Sequence, residues 1–385
     1  MINLMPCRYE GLKNVLVGYA KTGIDLVGFN GKNFFLSACS DDLGLYYFVP
    51  KFVRLFGFSL DQAIGYFFYG IIFFSFVFAL VGFFLLSKSW LFRSIAAGAL
   101  SFFWFIALRE TTDVYLINVA IVFAVVPLAV YFFRAQKKLE LFLVLSGIAI
   151  GYAHYIRSFS SFPVFLFLVF GLLFYHSGMW KKKNILLVCL CAGVFLPVVH
   201  FRYLEQQRNN FLGAQHKQHE SGHVFWHTVL AGLGFLNNDL GLKYDDKTTV
   251  EKVYENHPNA IYPTKAYEQA AKQEVFRLVR ERFGFVLNTL FAKLGVVFYL
   301  LLFFANIGLI FSFFYRKPWI LELMFWVGII FASAPGFIAL PGRIYLLGMC
   351  AFATVYGLVS IEYALAGGIV QDVMRFLKRK KRARI

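Results

Sequence analysis

Long apolar segments constrain this sequence more than any other feature. A helix needs roughly 20 mostly apolar residues to cross a bilayer, and fewer where neighbouring helices shield its ends. Nine segments of the 385-residue chain meet this condition: 63–86, 95–108, 115–133, 139–156, 162–176, 185–203, 285–314, 319–334 and 344–366. The sequence therefore predicts an all-α polytopic membrane protein with nine transmembrane helices.

The composition agrees with this fold class and argues against others. Hydrophobic residues make up 59% of the chain and charged residues only 15%. A soluble globular chain averages about 45–50% apolar and about 25% charged residues. Disordered, collagenous and disulfide-scaffold proteins are therefore excluded, and an ordinary soluble enzyme is disfavoured.

The distribution of charge predicts how the chain is oriented in the membrane. Lys and Arg outnumber Asp and Glu by 38 to 21, a net charge of +17. The excess lies in alternate short loops and in the C-terminal tail, 367–385, whereas the long loop 204–284 has equal numbers of acidic and basic residues. Cytoplasmic loops carry such a basic excess. We therefore expect an inner (plasma) membrane protein with a cytoplasmic C-terminus, whose tail binds anionic lipid headgroups and not nucleic acid.

This orientation divides the chain into five parts. An outer N-terminal segment, 1–62, precedes membrane helices in 63–203, a periplasmic loop in 204–284, further membrane helices in 285–366 and the basic tail. The long loop is expected to be folded, because Ala271, Val275, Leu278, Val279 and Phe283 recur at helical spacing with charged residues between them. That pattern predicts an amphipathic helix at the membrane interface.

Asp41 and Asp42, in the stretch SACSDDLGLYYFVP, are the strongest candidates for catalysis. Two adjacent carboxylates just outside a membrane suit the acceptance of a proton or the binding of a divalent cation. The alternative is a solvated turn or helix cap, because Asp is common in both. The sequence indicates no cofactor for certain. A divalent cation bound by Asp41 and Asp42 stays an open alternative.

Six further residues are candidates for substrate binding at the predicted outer surface. Arg157 could bind a phosphate bidentately or extend to lipid headgroups. Lys293 could anchor its helix at the interface or contact a lipid phosphate. The full set comprises Arg157, His154, Arg109, Lys293, His227 and Arg343. Their charges suggest one site at the boundary between bilayer and water.

These features together resemble the GT-C superfamily, whose members are polytopic glycosyltransferases that use polyprenyl-phosphate sugars. The resemblance rests on DDLGLYYFVP, the alternating basic loops, Arg157 and the aromatic-histidine patch near His227. It is nearest to bacterial relatives of protein O-mannosyltransferases and lipid A aminoarabinose transferases. It implies that Asp41 is the catalytic base and Asp42 its acidic neighbour. The family also places a membrane helix before this pair, which implies one more helix upstream of the residues seen here.

The function expected from the resemblance is sugar transfer on the outer face of the membrane. The partners would be a polyprenyl-phosphate-linked sugar donor, membrane lipids, and a lipid, glycan or protein acceptor. Two alternatives stay open. A lipid-linked glycan polymerase or ligase would rely on Arg and His instead of an acidic base, and a transporter or flippase would place ionisable residues near mid-membrane.

Overall fold

The structure, a computed structural model, describes residues 4–36, 42–111, 113–176, 178–213, 225–262 and 264–368. These residues form fifteen α-helices, a short π-helix and one small antiparallel hairpin. Eight of the helices are long and apolar enough to cross a membrane. The predicted class, an all-α polytopic membrane protein, is confirmed.

Two helices and the hairpin precede the first membrane helix. The elements are α1 (Pro6–Thr22), β1 (Val27–Phe29), β2 (Phe34–Leu36) and α2 (Leu43–Phe56). The hairpin strands pair with Val27 opposite Leu36. Helix α1 packs against β1 and α2. Helix α2 packs in turn against two membrane helices, α3 and α6. The predicted N-terminal segment is thus folded onto the membrane helices.

The membrane helices follow the predicted order closely. The first group consists of α3 (Leu60–Leu86), α4 (Trp90–Glu110), α5 (Leu116–Ala135), α6 (Leu139–Ile156), α7 (Phe162–Phe170) and α8 (Trp180–Leu212). Helix α7 is short and continues as the π-helix Gly171–Tyr175. Helix α8 extends beyond the predicted 185–203, so the start of the long loop continues a membrane helix.

Three helices follow within the long loop, and four more complete the bundle. The loop contains α9 (Phe225–Leu233), α10 (Asp246–Asn256) and α11 (Lys265–Glu281); the bundle is completed by α12 (Phe283–Ala305), α13 (Ile307–Phe314), α14 (Trp319–Ile338) and α15 (Arg343–Ala366). The continuous helix expected over 285–314 is broken at Asn306. Asn306 has a positive φ of 51° and its side chain accepts a hydrogen bond from the Ile307 amide. This side-chain cap satisfies the first amide of α13, so a new helix starts at this point.

Helices α5 and α15 form the centre of the bundle. Most of their residues are buried, whereas α3 and α8 expose large apolar side chains such as Phe73, Phe74, Val188 and Phe195. An apolar exposed face suits contact with lipid. The central helices therefore supply the core, and the outer helices face the bilayer.

The loop helices form a second, smaller core. Leu230 of α9, Val253 of α10 and Tyr267 of α11 are buried together. The amphipathic helix predicted from the sequence is present as α11, with Ala271, Val275 and Leu278 on its buried side. The predicted position Val279 is exposed on α11, and Phe283 lies outside this helix, exposed at the start of α12.

Glycines allow α6 and α8 to cross closely. A Cβ added to Gly147 would lie 2.4 Å from the Leu190 carbonyl oxygen, and one on Gly151 would lie 2.7 Å from Pro197 Cγ. The facing Gly193 of α8 is equally confined. The small residues that the sequence places four apart therefore let the two backbones touch.

We expect Gly193→Ala to destabilise this crossing. Its Cβ would lie 2.3 Å from the Val144 carbonyl oxygen, so the helices would have to separate. Overpacking of this kind costs about 1–3 kcal/mol, and thermal unfolding of the purified protein in detergent should begin at a lower temperature. Gly98→Ala in α4 is the matched control, because a Cβ there meets nothing within 4 Å. Equal unfolding temperatures for the two variants would contradict the close crossing.

Candidate functional site

Asp42 lies at the centre of a buried cluster of charged side chains. It precedes α2 and is fully buried. Its Oδ2 accepts a hydrogen bond from Arg8 Nε at 2.6 Å, and its Oδ1 accepts one from Arg157 Nη1 at 3.3 Å. Both carboxylate oxygens are therefore paired with guanidinium groups. Asp41, the predicted base, lies outside the described residues.

Arg8 joins three parts of the chain. It is only 6% exposed, and its Nη1 donates to Asp113 Oδ2 at 2.6 Å while Nε binds Asp42. Burial lowers the pKa of Arg8, but the two carboxylates outweigh burial and raise the pKa above its ordinary value. Asp113 also caps the amide of Val114 just before α5. One arginine thus fixes α1, the start of α2 and the start of α5 together.

Sequence reasoning did not identify Arg8 as a site residue. The signal available was indirect. Asp42 and Asp113 lie beside apolar helices, where a carboxylate requires a cationic partner. Arg8 lies in the short N-terminal stretch PCRYEG and is the partner that the fold supplies.

Arg157 is held at the end of α6. Its Nη2 donates to the Tyr115 hydroxyl at 3.3 Å, and its guanidinium carbon lies 4.7 Å from the centre of the Tyr115 ring. The cation–π contact and the Asp42 ion pair fix the direction of the side chain. Its side chain is 21% exposed, so the guanidinium stays accessible from the adjacent cavity.

A cavity of about 670 Å³ opens beside Arg157 at this end of the bundle. Its polar side is formed by loop residues and helix ends, including Arg157, Ser158, His227, Tyr244, Asp245 and Asp246. Its apolar side is formed by membrane helices, including Val122, Phe331, Ala332, Pro335, Ile338 and Phe352. The cavity can therefore accommodate a ligand with one charged end and one apolar end.

Three tyrosines connect Arg157 to the long loop. Tyr115, which accepts from Arg157, makes an edge-to-face contact with Tyr345 at 5.4 Å between ring centres. The Tyr345 hydroxyl in turn accepts a hydrogen bond from the Tyr244 hydroxyl at 3.0 Å. The loop residues that follow Tyr244 are thus held at the same cavity as Arg157.

His227 is buried within a chain of hydrogen bonds. Its Nδ1 lies 2.7 Å from the Tyr267 hydroxyl and its Nε2 lies 3.2 Å from Asp246 Oδ1. Glu268 accepts hydrogen bonds from the backbone amides of Trp226 and His227, which fixes the start of α9. His227 and Arg157 are the two predicted binding residues that the fold brings to one cavity.

The other predicted binding residues lie elsewhere. His154 is exposed and its ring contacts those of Tyr155 and Phe159, and Arg109 is exposed at the end of α4. Arg343 forms an ion pair with Glu110. Among the described residues, none of these three predicted ligands lines the cavity.

Lys293 has a contact that neither sequence interpretation included. Its side chain is 1% exposed, and its ammonium donates to the carbonyl oxygens of Phe337 at 2.8 Å and Ala339 at 2.7 Å. Helix ends leave carbonyl groups without intrahelical partners. Lys293 therefore stabilises the C-terminal end of α14 beside the cavity instead of facing a lipid headgroup.

The divalent cation considered for the aspartate pair stays a prediction, because Asp41 lies outside the described residues. The residues that the structure does describe contain no group of three or more His, Cys, Asp or Glu side chains that could hold a metal ion. Both oxygens of Asp42 already bind guanidinium groups. The chemistry of Asp42 in this structure is that of an ion-pair partner.

Comparisons with protein-family models, curated proteins and solved structures give no match. The class of protein is therefore defined by the fold itself. It is a polytopic α-helical membrane protein with a mainly apolar cavity at one end of its helices, one side of which carries polar and charged groups.

We expect Arg8→Met to destabilise the protein strongly. The change leaves Asp113 without its buried cation, and removal of one partner of a buried pair costs about 3–5 kcal/mol. Adding Asp113→Leu should recover part of the loss, because the unpaired carboxylate is then gone. Thermal unfolding in detergent measures both effects.

Lys13→Met in the same helix is the control for Arg8. Lys13 and Glu10 form an exposed pair at 3.8 Å, and such pairs contribute about 0–1 kcal/mol. An Arg8→Met protein as stable as Lys13→Met would show that the buried cluster does not hold the N-terminal helices.

Proposed function

We propose that this protein transfers a sugar from a polyprenyl-phosphate donor to a lipid, glycan or protein acceptor. The observation that supports this function best is the cavity, which has an accessible arginine on its polar side and membrane helices on its apolar side. A polyprenyl phosphate has the same two-part chemistry. The resemblance of DDLGLYYFVP to the GT-C superfamily points to the same class of enzyme.

The donor phosphate would bind Arg157. Charge-assisted hydrogen bonds from a guanidinium fork are the strongest that a phosphate receives from a side chain. The isoprenoid chain would lie against apolar residues such as Val122, Phe331 and Phe352. Each buried methylene contributes about 0.8 kcal/mol, so a few isoprene units suffice to hold the donor.

The reaction would be a single displacement at the anomeric carbon of the sugar. A base takes the proton of the acceptor hydroxyl, the acceptor oxygen bonds to the anomeric carbon, and the bond from that carbon to the phosphate oxygen breaks. The phosphate leaves with the electron pair, and Arg157 stabilises its developing charge. Asp42 and Tyr115 keep the guanidinium in place for this role.

The distribution of charge indicates on which side of the membrane the cavity would open. The loop that covers it is neutral overall, while the loops between the opposite helix ends are basic. By the positive-inside rule, the cavity would open on the outer face of the inner membrane. Lipid-linked donors and acceptors would then reach it from the outer leaflet.

A lipid-linked glycan polymerase or ligase is the second candidate. It is favoured by one observation, the presence of Arg157 and His227 at the same cavity. The two functions differ in their donors, a sugar on a polyprenyl monophosphate against a glycan on a polyprenyl diphosphate. Incubating the purified protein with each donor and measuring the released lipid phosphate distinguishes them.

We expect Arg157→Ala to weaken donor binding about tenfold to a hundredfold. The lost charge-assisted bonds contribute about 1.5–3 kcal/mol each, and each 1.4 kcal/mol is a factor of ten in affinity. Arg157→Lys should recover only part of the loss, because an ammonium cannot form the bidentate fork. Calorimetric titration with a short-chain polyprenyl phosphate in detergent measures the change.

Arg202→Ala is the matched control, since Arg202 is exposed on α8 and does not line the cavity. It should bind the donor as the wild type does. Asp42 keeps its Arg8 partner in Arg157→Ala, so the fold should persist. Unchanged affinity in Arg157→Ala would place the phosphate elsewhere and remove the main support for this function.

A further inference from the structure

Two carboxylates among the described residues, Asp245 and Asp246, line the cavity, and Asp42 binds the cavity-lining Arg157; the surroundings of the three differ. Asp42 is fully buried, with a guanidinium on each oxygen. Asp245 caps α10, and its Oδ1 accepts a hydrogen bond from the Thr248 amide at 2.9 Å. Hydrogen bonds from Thr248 lower the pKa of Asp245. Asp245 is therefore a poor proton acceptor, because its charged form is already stabilised, and the oxygens of Asp42 are both occupied by guanidinium groups.

Asp246 differs from both. Its side chain is 86% exposed and faces the cavity, and its Oδ1 is bound by the His227 ring and not by a guanidinium. It is the first residue of α10, and Asp245 provides the cap of that helix. The Asp246 carboxylate is therefore accessible to a hydroxyl group in the cavity without being needed for the helix.

The hydrogen bonds behind Asp246 define which groups donate. A carboxylate can only accept, so His227 Nε2 carries the proton that it shares with Asp246. In a neutral imidazole Nδ1 then accepts from the Tyr267 hydroxyl. Burial raises the pKa of the Tyr267 phenol, so it keeps its proton. Tyr267 thus orients His227, and His227 orients Asp246. In a catalytic triad, too, the base is oriented by a hydrogen bond from a further residue, although there the base is a histidine.

The same carboxylate is held near the proposed phosphate site. Tyr244 lies two residues before Asp246 and donates to Tyr345, which contacts Tyr115, the hydrogen-bond partner of Arg157. Asp246 and Arg157 both line the cavity. A donor phosphate at Arg157 would therefore place its sugar in the space that Asp246 faces.

We propose that Asp246 is the general base of the transfer reaction, with His227 and Tyr267 as its positioning residues. The inference rests on the proposed function. The proton of the acceptor hydroxyl moves to the Asp246 carboxylate as the acceptor oxygen bonds to the anomeric carbon. The carbon–oxygen bond to the phosphate breaks, and the phosphate leaves with its electrons. The acceptor is therefore a hydroxyl compound whose oxygen lies beside Asp246.

Asp246→Asn tests the inference, because it keeps the size of the side chain and removes the basic oxygen. In the full-length protein in nanodiscs, turnover of a polyprenyl-phosphate sugar should fall about 10²–10⁴-fold, with donor affinity unchanged. Tyr267→Phe should lower kcat less and leave the donor KM unchanged, a split that loss of fold would not produce. Asp239→Asn is the matched control, since Asp239 pairs with Arg282 outside the cavity.

Two other results would overturn the inference in different ways. If the wild type and Asp246→Asn transfer sugar equally while Asp41→Asn is inactive, the base is the carboxylate that the sequence indicated, and Asp246 has no catalytic part. If the wild type releases no phosphate from any polyprenyl-phosphate sugar, the proposed function fails and the role of Asp246 fails with it.

Discussion

The buried ion pairs of Arg8 determine how the rest of this structure is arranged. A charged side chain beside membrane helices is costly unless it is paired, and Arg8 pairs with both Asp42 and Asp113. These carboxylates belong to segments that lead into α2 and α5, so the pairing brings the N-terminal helices onto the bundle. Arg157 then completes the cluster through Asp42 and presents its guanidinium to the cavity. The proposed phosphate site thus depends on an arginine that never faces the ligand.

In the proposed reaction, the positioning of Arg157 and the acceptance of the proton belong to two different carboxylates. Asp42 is tied to two guanidinium groups and serves to position Arg157. Proton transfer requires a carboxylate whose oxygens are not both bound by guanidinium groups, and Asp246 on the long loop is bound by the His227 ring instead. In the proposed reaction the membrane helices and N-terminal segment hold the leaving group, while the loop handles the acceptor. Charge stabilisation and proton transfer are then carried by different residues that line one cavity.

The sequence predicted the parts of this structure that depend on local pattern. Length and apolar composition located the membrane helices, and helical spacing located α11. The break at Asn306 was not predicted, because the apolar run continues through it. The partners of Asp42 could not be predicted either, because Arg8 and Arg157 lie 34 and 115 residues away along the chain. Such contacts depend on helix packing that no short motif encodes.

The buried ammonium of Lys293 lies where the long loop meets the membrane helices, close to the cavity. Lys293 binds the Ala339 carbonyl at the end of α14, and Gly232 of α9 approaches the same oxygen so closely that a Cβ would lie 2.5 Å from it. Helix α9 also carries His227, so this contact sets the position of the His227–Asp246 pair relative to the cavity. A membrane helix therefore holds the loop at this point, beside the apolar wall that would hold the lipid. The core of the long loop is small. The loop can still hold His227 and Asp246 at the cavity, because it also packs against the membrane helices.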